Sequence, residues 1–363
     1  EQEDVHEANE AKVGPVAFKR IVTGSGSLDV YLWTQTIPFK AGENLGPRYK
    51  SFVELKQADT QVRVSPILEV VSQSRETTHA STFSSELEFI TMAPQTQMIY
   101  SSTTDYLYFF YYGGSGSSNL VMRSMDLSSA TPSFTISSAT NLITDVCPSV
   151  GTFVVDSYND TQTMYAAYYN AQSVATAKPG DLHLARITES SGGSLSVAST
   201  VDVTNNVFNT SDSQRTDLAT KTGCRVNIAL RAMNTSANFS VFIAYSVQGS
   251  GKGGTNDYRT FVDIFKADLS TSLFSETSVP DGLAFSLNSR HAMLNAASAE
   301  IKSGSGGSVV YSVALELCED QGQSLFNALK GTVTPTAAGS NYVTGLAKLA
   351  SSTTSPANFG INL

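Results

Sequence analysis

The chain is poor in charge and in long apolar runs, and each shortage excludes a class of protein. Charged residues make up 15% of its 363 residues, with 23 Lys and Arg against 32 Asp and Glu. The net charge of −9 argues against nucleic acid and anionic membranes as partners, because both reward clustered Lys and Arg. No apolar run approaches the roughly 20 residues of a membrane span. We therefore expect neither nucleic-acid binding nor membrane insertion.

Cysteine is almost absent, so a disulfide scaffold is excluded. The chain has three cysteines and four scattered histidines, without a C-x-x-C pair or a Cys/His cluster. We predict no metal site and no cofactor. The strand pattern described below places the three cysteines toward one face of neighbouring repeats. It predicts at most one disulfide, joining Cys224 to Cys147 or Cys318, and a leftover thiol.

Motifs for nucleotide binding and for serine hydrolysis are missing as well. The stretch "GSGKGGT" resembles a phosphate loop, but Ser246 stands where the motif needs its first glycine and Gly253 where it needs a hydroxyl. A β-branched and aromatic run follows, with no signal for the start of a helix. There is no G-x-S-x-G elbow. The stretch is predicted to be a turn between strands, and no catalytic residue is predicted.

What the sequence has in abundance is alternating strand patterns separated by Gly/Ser turns. About twenty strand candidates fall into five groups of four, and no long helix is indicated. The second strand of each group is the most apolar, as in "DYLYFFYY" and "FSVFIAYSV". Among the fourth strands we predict Ser133–Ile136 and Leu273–Val279. At residues 289–307, where a strand is predicted, a short capped helix is the alternative.

Repeated four-strand units resemble the blades of the β-propeller superfold. A blade has neighbours on both faces, so its inner strands should be apolar on both faces, as these second strands are. The predicted fold is all-β, a five-bladed β-propeller-like array of four-stranded sheets, with two tandem β-sandwiches split near residue 145 as the alternative. We expect an N-terminal arm at 1–14, one propeller-like domain at 15–350 and a tail at 351–363. The resemblance is architectural and implies little about function.

Propellers with five blades include glycosidases, which use acids that project into the central channel. The first strand of each predicted blade is the innermost, next to that channel. Two acids on such strands, Asp156 and Glu300, are candidates for glycoside hydrolysis. The first innermost strand, "VAFKRIV", has no acid, which weakens a hydrolase prediction. A lectin-like function would use aromatic rings. The chain has one Trp, Trp33, but two adjacent predicted blades carry a cluster of tyrosines whose first interpretation is core packing. The cluster consists of Tyr106, Tyr108, Tyr111, Tyr112, Tyr165, Tyr168 and Tyr169.

Four N-x-[ST] sequons in a Ser/Thr-rich chain favour a secreted glycoprotein. They lie at Asn159, Asn209, Asn234 and Asn238. The chain also begins without Met, which is consistent with removal of a signal peptide. We therefore expect an extracellular location.

The first fourteen residues form an acidic arm. It carries Glu1, Glu3, Asp4, Glu7 and Glu10. Such a segment has too little apolar content to fold alone, so we expect it either to close its own propeller or to reach into a second copy of the chain. Together with the nearly uncharged surface, this predicts a structural glycoprotein that self-assembles into an array or filament. Carbohydrate binding is the first alternative and glycoside hydrolysis the second.

Overall fold

The computed structural model of the chain describes its strands and many of the turns between them. The described residues are 12–37, 48–73, 96–113, 119–129, 131–146, 153–170, 182–203, 228–233, 239–251, 254–272, 292–303, 310–319, 325–334 and 342–352. Their regular structure is β-strand, apart from one 3-10 turn at Tyr158–Asp160. The all-β prediction is therefore confirmed. No helix within these residues is long and apolar enough to cross a membrane.

The described residues form nineteen strands in five sheets, and within each sheet the strands are hydrogen-bonded in chain order. The first sheet contains β1 (Lys12–Thr23), β2 (Gly26–Ile37), β3 (Arg48–Gln57) and β4 (Leu68–Gln73). The second contains β5 (Gln97–Ser101), β6 (Tyr106–Gly113), β7 (Asn119–Asp126) and β8 (Thr140–Ile143). Both are antiparallel throughout.

The remaining sheets continue the same pattern. The third contains β9 (Val154–Ser157), β10 (Thr163–Tyr169), β11 (Leu182–Glu189) and β12 (Leu195–Asp202). The fourth contains β13 (Ile228–Ala232), β14 (Phe239–Gly251) and β15 (Gly254–Lys266). The fifth contains β16 (Ala292–Ser303), β17 (Val310–Glu319), β18 (Leu325–Thr334) and β19 (Tyr342–Ser352). Five successive sheets match the predicted array. The predicted strand Leu273–Val279 lies outside the described residues.

The chain divides into two compact units. The first comprises Glu1–Val155, Asn159–Gln162 and Thr188–Val197, and the second comprises Asp156–Tyr158, Thr163–Ile187 and Ala198–Leu363. The first unit thus includes the first two sheets and the turn between β11 and β12. The bounds expected for one propeller-like domain, 15–350, stay a prediction.

Alternating apolar residues of the first two sheets form the core of the first unit. Leu107 and Phe109 of β6 are fully buried in one cluster with Val30 and Val53 of the first sheet. The intervening residues of β6, such as Phe110, are also fully buried on the opposite face. β6 is therefore apolar on both faces because both faces are covered, as expected for an inner strand of a blade.

The other face of the first sheet mixes exposed apolar side chains with an ion pair between the exposed Arg20 and the buried Asp29. Asp29 is buried, and its carboxylate accepts hydrogen bonds from Arg20 at 2.7 and 3.0 Å and from Gln61 at 2.7 Å. The pKa of Asp29 is held below its usual value, chiefly by the hydrogen bond from Arg20. Phe18 lies beside Tyr31 on the same face, with ring centroids 5.3 Å apart.

Acid is expected to weaken this ion pair. A carboxyl whose folded pKa is lowered stabilises the fold above its unfolded pKa, about 3.9, and loses that contribution as the pH falls through the folded value. The stability difference between the native protein and an Asp29→Asn variant should therefore be constant near neutrality and shrink below about pH 4. Denaturant midpoints measured between neutral and acid pH check this. A difference that stays constant throughout would contradict it.

One local prediction was wrong. The fourth strand of the second sheet is β8, not Ser133–Ile136, where only Ile136 makes an isolated bridge to Met125. Phe134 has a positive φ of 49°, and the Ser137 hydroxyl replaces a backbone acceptor for the amide of Ser124, so a regular ladder cannot form there. The strand predicted at Ala292–Ile301 is confirmed as β16, which pairs with β17, so the helix considered as its alternative does not form there.

Candidate functional site

A cleft of about 500 Å³ lies in the first unit, beside the second sheet. Its walls come from β7, from the segment between β7 and β8, and from the turn that joins β11 to β12. Hydroxyl groups dominate the lining. They belong to Ser124, Thr135, Ser137, Ser138, Thr140 and Ser194, beside one tyrosine, Tyr106, and one carboxylate, Asp126.

Strand periodicity explains why these side chains converge. Side chains two residues apart on a strand share a face, so Met122, Ser124 and Asp126 of β7 line the same side of the sheet. Tyr106 at the start of β6 is paired with Asp126 at the end of β7. The aromatic ring and the carboxylate therefore meet at one end of the cleft.

Asp126 is fixed by three donors. Its Oδ1 accepts hydrogen bonds from the amide of Ser128 at 2.9 Å and the hydroxyl of Ser128 at 2.6 Å, and its Oδ2 accepts one from Tyr106 Oη at 3.1 Å. These hydrogen bonds hold the pKa of Asp126 below its usual value, and the bond from the Ser128 hydroxyl is the main cause. The carboxylate is therefore ionised at neutral pH and acts only as an acceptor.

Tyr106 is partly buried and keeps its proton. Burial is the main cause of its raised pKa, and the hydrogen bond to Asp126 adds to it. The ring is stacked on that of Tyr108, with centroids 6.0 Å apart. The phenol is thus a neutral group with a fixed ring, which suits it to contact a ligand and not to abstract a proton.

The Tyr106 ring owes its position to a glycine. Gly193 has a positive φ of 73°, and a Cβ added there would lie 2.6 Å from Cζ of Tyr106. Only a residue without a side chain allows the turn and the ring to approach so closely. In residues 190–194, "SSGGS", the second glycine is therefore required for contact with Tyr106, which the Gly/Ser composition of the turn does not indicate.

A buried carboxylate holds the turn in place beneath the cleft. Glu189 ends β11 and accepts hydrogen bonds from the hydroxyls of Tyr108, Thr104 and Ser101, the last at 2.6 Å. The Tyr108 hydroxyl also lies 3.0 Å from the carbonyl of Gly193. Burial and the hydrogen bond to Glu189 raise the pKa of Tyr108. This cluster joins the second sheet to the turn that forms one wall of the cleft.

The hydroxyl wall is itself organised. The Ser137 amide donates to the carbonyl of Ser124 at 2.8 Å, and the Ser124 and Ser137 hydroxyls lie 3.2 Å apart. The Ser137 hydroxyl also lies 3.1 Å from the carbonyl of Ser138. Each hydroxyl has one donor and two acceptor sites, so capacity remains for a ligand after these bonds are made.

Among the tyrosines that the sequence singled out, six are core residues and one lines the cleft. Tyr108, Tyr111, Tyr112, Tyr165, Tyr168 and Tyr169 are all at most 6% exposed. The core interpretation is therefore right for these six, and Tyr106 is the exception. The sequence pattern did not identify Asp126, Glu189 or Gly193. The tripeptide Asp-Leu-Ser follows a third strand twice, at 126–128 and at 268–270, and this recurrence in the sequence could have indicated Asp126.

The two acids considered for hydrolysis have other surroundings. An Oδ of Asp156 accepts a hydrogen bond from the backbone amide of Ala232 at 2.8 Å, beside Arg231 at 3.9 Å. Glu300 is exposed on β16. Neither lines the cleft. In the described part of the chain, no group of three or more His, Cys, Asp or Glu side chains could hold a metal ion.

Most of the other candidates lie outside the described residues. These are Cys147, Cys224, Asn209, Asn234, Asn238 and the acidic residues of the arm. Cys318 is on β17, the second strand of its sheet, as expected. Asn159 is exposed in the turn after β9 with φ 47°. The disulfide, the glycosylation, the homo-oligomer and the role of the arm stay predictions.

No protein-family model and no curated protein matches the chain. Some solved structures are similar to it. One described as a PL25 polysaccharide lyase, an ulvan lyase, aligns with 89% of this chain and 67% of its own at a TM-score of 0.41. One described as a glycoside hydrolase aligns with 94% and 75% at 0.34, and one described as an RGII complex with 94% and 76% at 0.35. Identity is 10% in each case.

These comparisons correct the functional prediction. The self-assembling structural glycoprotein, an array or filament, is wrong as the main prediction, because the similar structures with a stated class are a glycoside hydrolase and a polysaccharide lyase. Carbohydrate binding and glycoside hydrolysis, the two alternatives drawn from the sequence, stay predictions. TM-scores below 0.5 assign this chain to no family and no activity. The choice between binding and hydrolysis therefore depends on the chemistry of the cleft.

Proposed function

We propose that the protein is an extracellular carbohydrate-binding protein whose glycan site is the cleft beside β7. The observation that carries the proposal is the lining itself, six hydroxyl side chains around one tyrosine ring and one ionised carboxylate. Sugars offer hydroxyls that both donate and accept, and apolar C–H faces that pack on aromatic rings. A cleft of about 500 Å³ is within the usual range for ligand sites, roughly 300–1,000 Å³.

Binding fits the cleft better than hydrolysis does. Glycoside hydrolysis generally uses two carboxyl groups on either side of the scissile bond, one of them protonated. Asp126 is the single carboxyl group among the described residues of the lining, and its lowered pKa leaves it without a proton to donate at neutral pH. Glu189 lies beneath the cleft with its oxygens occupied by three hydroxyls. The lining thus supplies an acceptor and no acid.

An extracellular location agrees with the sequons and with the exposure of Asn159. Attachment of a glycan needs an accessible asparagine in a turn or loop, and Asn159 meets that requirement. Digestion with peptide-N-glycosidase should lower the mass of protein from a eukaryotic secretory host.

Substitutions in the cleft should remove binding without unfolding the protein. We expect Tyr106→Ala to weaken binding to a neutral oligosaccharide by about tenfold or more, about 1.4 kcal/mol, because it removes the ring and a phenol oxygen that can accept from a sugar hydroxyl while its own proton is donated to Asp126. Asp126→Asn should weaken it less, since the amide keeps one acceptor oxygen. Calorimetric titration with a panel of hexasaccharides measures both effects.

The chain offers a matched control for Asp126. Asp268 begins a second "DLS" turn, and its carboxylate accepts from the amide of Ser270 at 2.9 Å, as Asp126 does from Ser128. Asp268→Asn therefore makes the same change, loss of the charge and of one acceptor oxygen, in the same kind of turn outside the cleft, and it should leave glycan affinity unchanged. Equal losses in both variants, or no binding by the native protein to any glycan of the panel, would refute the proposal.

A further inference from the structure

The chain segments that form the cleft carry charges mostly of one sign. Residues 96–146 and 189–197, which provide the second sheet and the turn, contain four acids and one base. The acids are Asp105, Asp126, Asp145 and Glu189, and the base is Arg123. No Lys, Arg or His is among the described residues that line the cleft.

The one base of this region is committed elsewhere. Arg123 is adjacent to Met122 and Ser124 on β7, so its side chain leaves the opposite face of the sheet. Its Nε lies 2.8 Å from the carbonyl of Ser137, and its Nη1 lies 2.7 Å from the carbonyl of Val70 in the first sheet. Two of the five guanidinium donors therefore hold carbonyls of two backbone segments, and Arg123 is not among the described residues that line the cleft.

We propose that the cleft selects neutral oligosaccharides and discriminates against glycans that carry carboxylate or sulfate groups. This inference rests on the proposed function and adds the substrate class to it. The six hydroxyl side chains of the lining can donate to and accept from sugar hydroxyls, whereas an anionic sugar would bring its charge beside Asp126 with no cation among the described lining residues to pair it.

The side chains of the cleft cannot readily adapt to an anion. Binding an anionic sugar would favour protonation of Asp126, but three donors already stabilise its ionised form. Glu189 accepts hydrogen bonds from three hydroxyls and lies close enough to Tyr106 to contribute to the raised pKa of that phenol. Asp126 is exposed, so its repulsion of an anion acts within a Debye length, about 10 Å at 0.1 M salt, and depends on the salt concentration.

Pairs of glycans that differ only in the oxidation of C6 test the inference. Cellohexaose is compared with the β-1,4-linked hexamer of glucuronate, and mannohexaose with the β-1,4-linked hexamer of mannuronate. We expect the neutral member of the binding pair to have an affinity about tenfold higher or more at low salt. The ratio should fall as salt is raised to about 0.5 M, because salt screens the repulsion.

The Asp126→Asn variant separates charge from shape. It removes the negative charge in the lining, so the preference for the neutral member should decrease, even though the absolute affinity for that member also falls. A native protein that binds the uronate member as tightly or more tightly would overturn the inference while leaving the proposed function intact. The same holds for a preference that neither salt nor Asp126→Asn changes. Failure to bind any neutral or acidic probe would refute the proposed function itself.

Discussion

Replacing Glu189 by alanine is expected to lower the free energy of unfolding of the first unit by about 4 kcal/mol, since three hydroxyl donors lose their acceptor at once. Tyr108 is fully buried, and the remaining 3.0 Å contact of its hydroxyl with the Gly193 carbonyl cannot replace a carboxylate. Glu189→Gln keeps the shape and one acceptor oxygen, so it should cost about half as much. Chemical denaturation followed by tyrosine fluorescence measures both.

A second acid of the same unit provides the control. Glu69 on β4 is exposed and lies 3.6 Å from Lys50, a distance typical of a surface ion pair. Glu69→Gln removes an equal charge and should change stability by about 0.5 kcal/mol or less. If Glu189→Gln and Glu69→Gln were equally mild, Glu189 would not be the anchor of the turn.

Gly193→Ala is expected to affect both stability and binding. Alanine at a φ of 73° carries a backbone cost of about 1 kcal/mol, and its methyl group would overlap the ring of Tyr106. We expect a total loss of about 2–3 kcal/mol. Because the ring must move, glycan affinity should fall by an amount similar to that of Tyr106→Ala.

The neighbouring glycine distinguishes this effect from a general one of the turn. A Cβ on Gly192 would meet no atom within 4 Å. Gly192→Ala should therefore leave stability within about 0.5 kcal/mol of the native value, or raise it slightly by restricting the unfolded chain. A Gly193→Ala variant as stable as Gly192→Ala would mean that the ring and the turn are not in the close contact described.

The positions of the strands could be predicted because the spacing of apolar residues within each segment is enough to indicate a strand. β6 is an example, since "YLYFFYY" is apolar at every position and is buried at every position from Leu107 to Tyr112. The prediction failed at Ser133–Ile136, where the outcome depends on the Ser137 hydroxyl reaching the amide of Ser124. Such a bond joins two segments, and the pattern of either one alone does not contain it.

The cleft was not predictable from the sequence for a related reason. Its tyrosine was among the aromatic residues singled out, but Asp126 and Ser124 have the pattern of ordinary polar positions on an amphipathic strand. Glu189 has the pattern of a solvated acid at the end of β11, although only 9% of it is exposed. Glu189 owes its role to three partners more than 80 residues away in the chain, as in the bond from Tyr108.

That separation has a consequence for how the protein is made. During synthesis the second sheet is complete in the chain by Ile143, but Ser101, Thr104 and Tyr108 acquire their carboxylate only after Glu189 has left the ribosome. Until then the sheet is exposed where the turn will dock, and such nascent surfaces are the ones that chaperones bind. A ligand that needs both walls binds only the docked state, so a concentration one hundred times its Kd would stabilise docking by about 2.7 kcal/mol. Sugars supplied during refolding should therefore raise the yield of native protein.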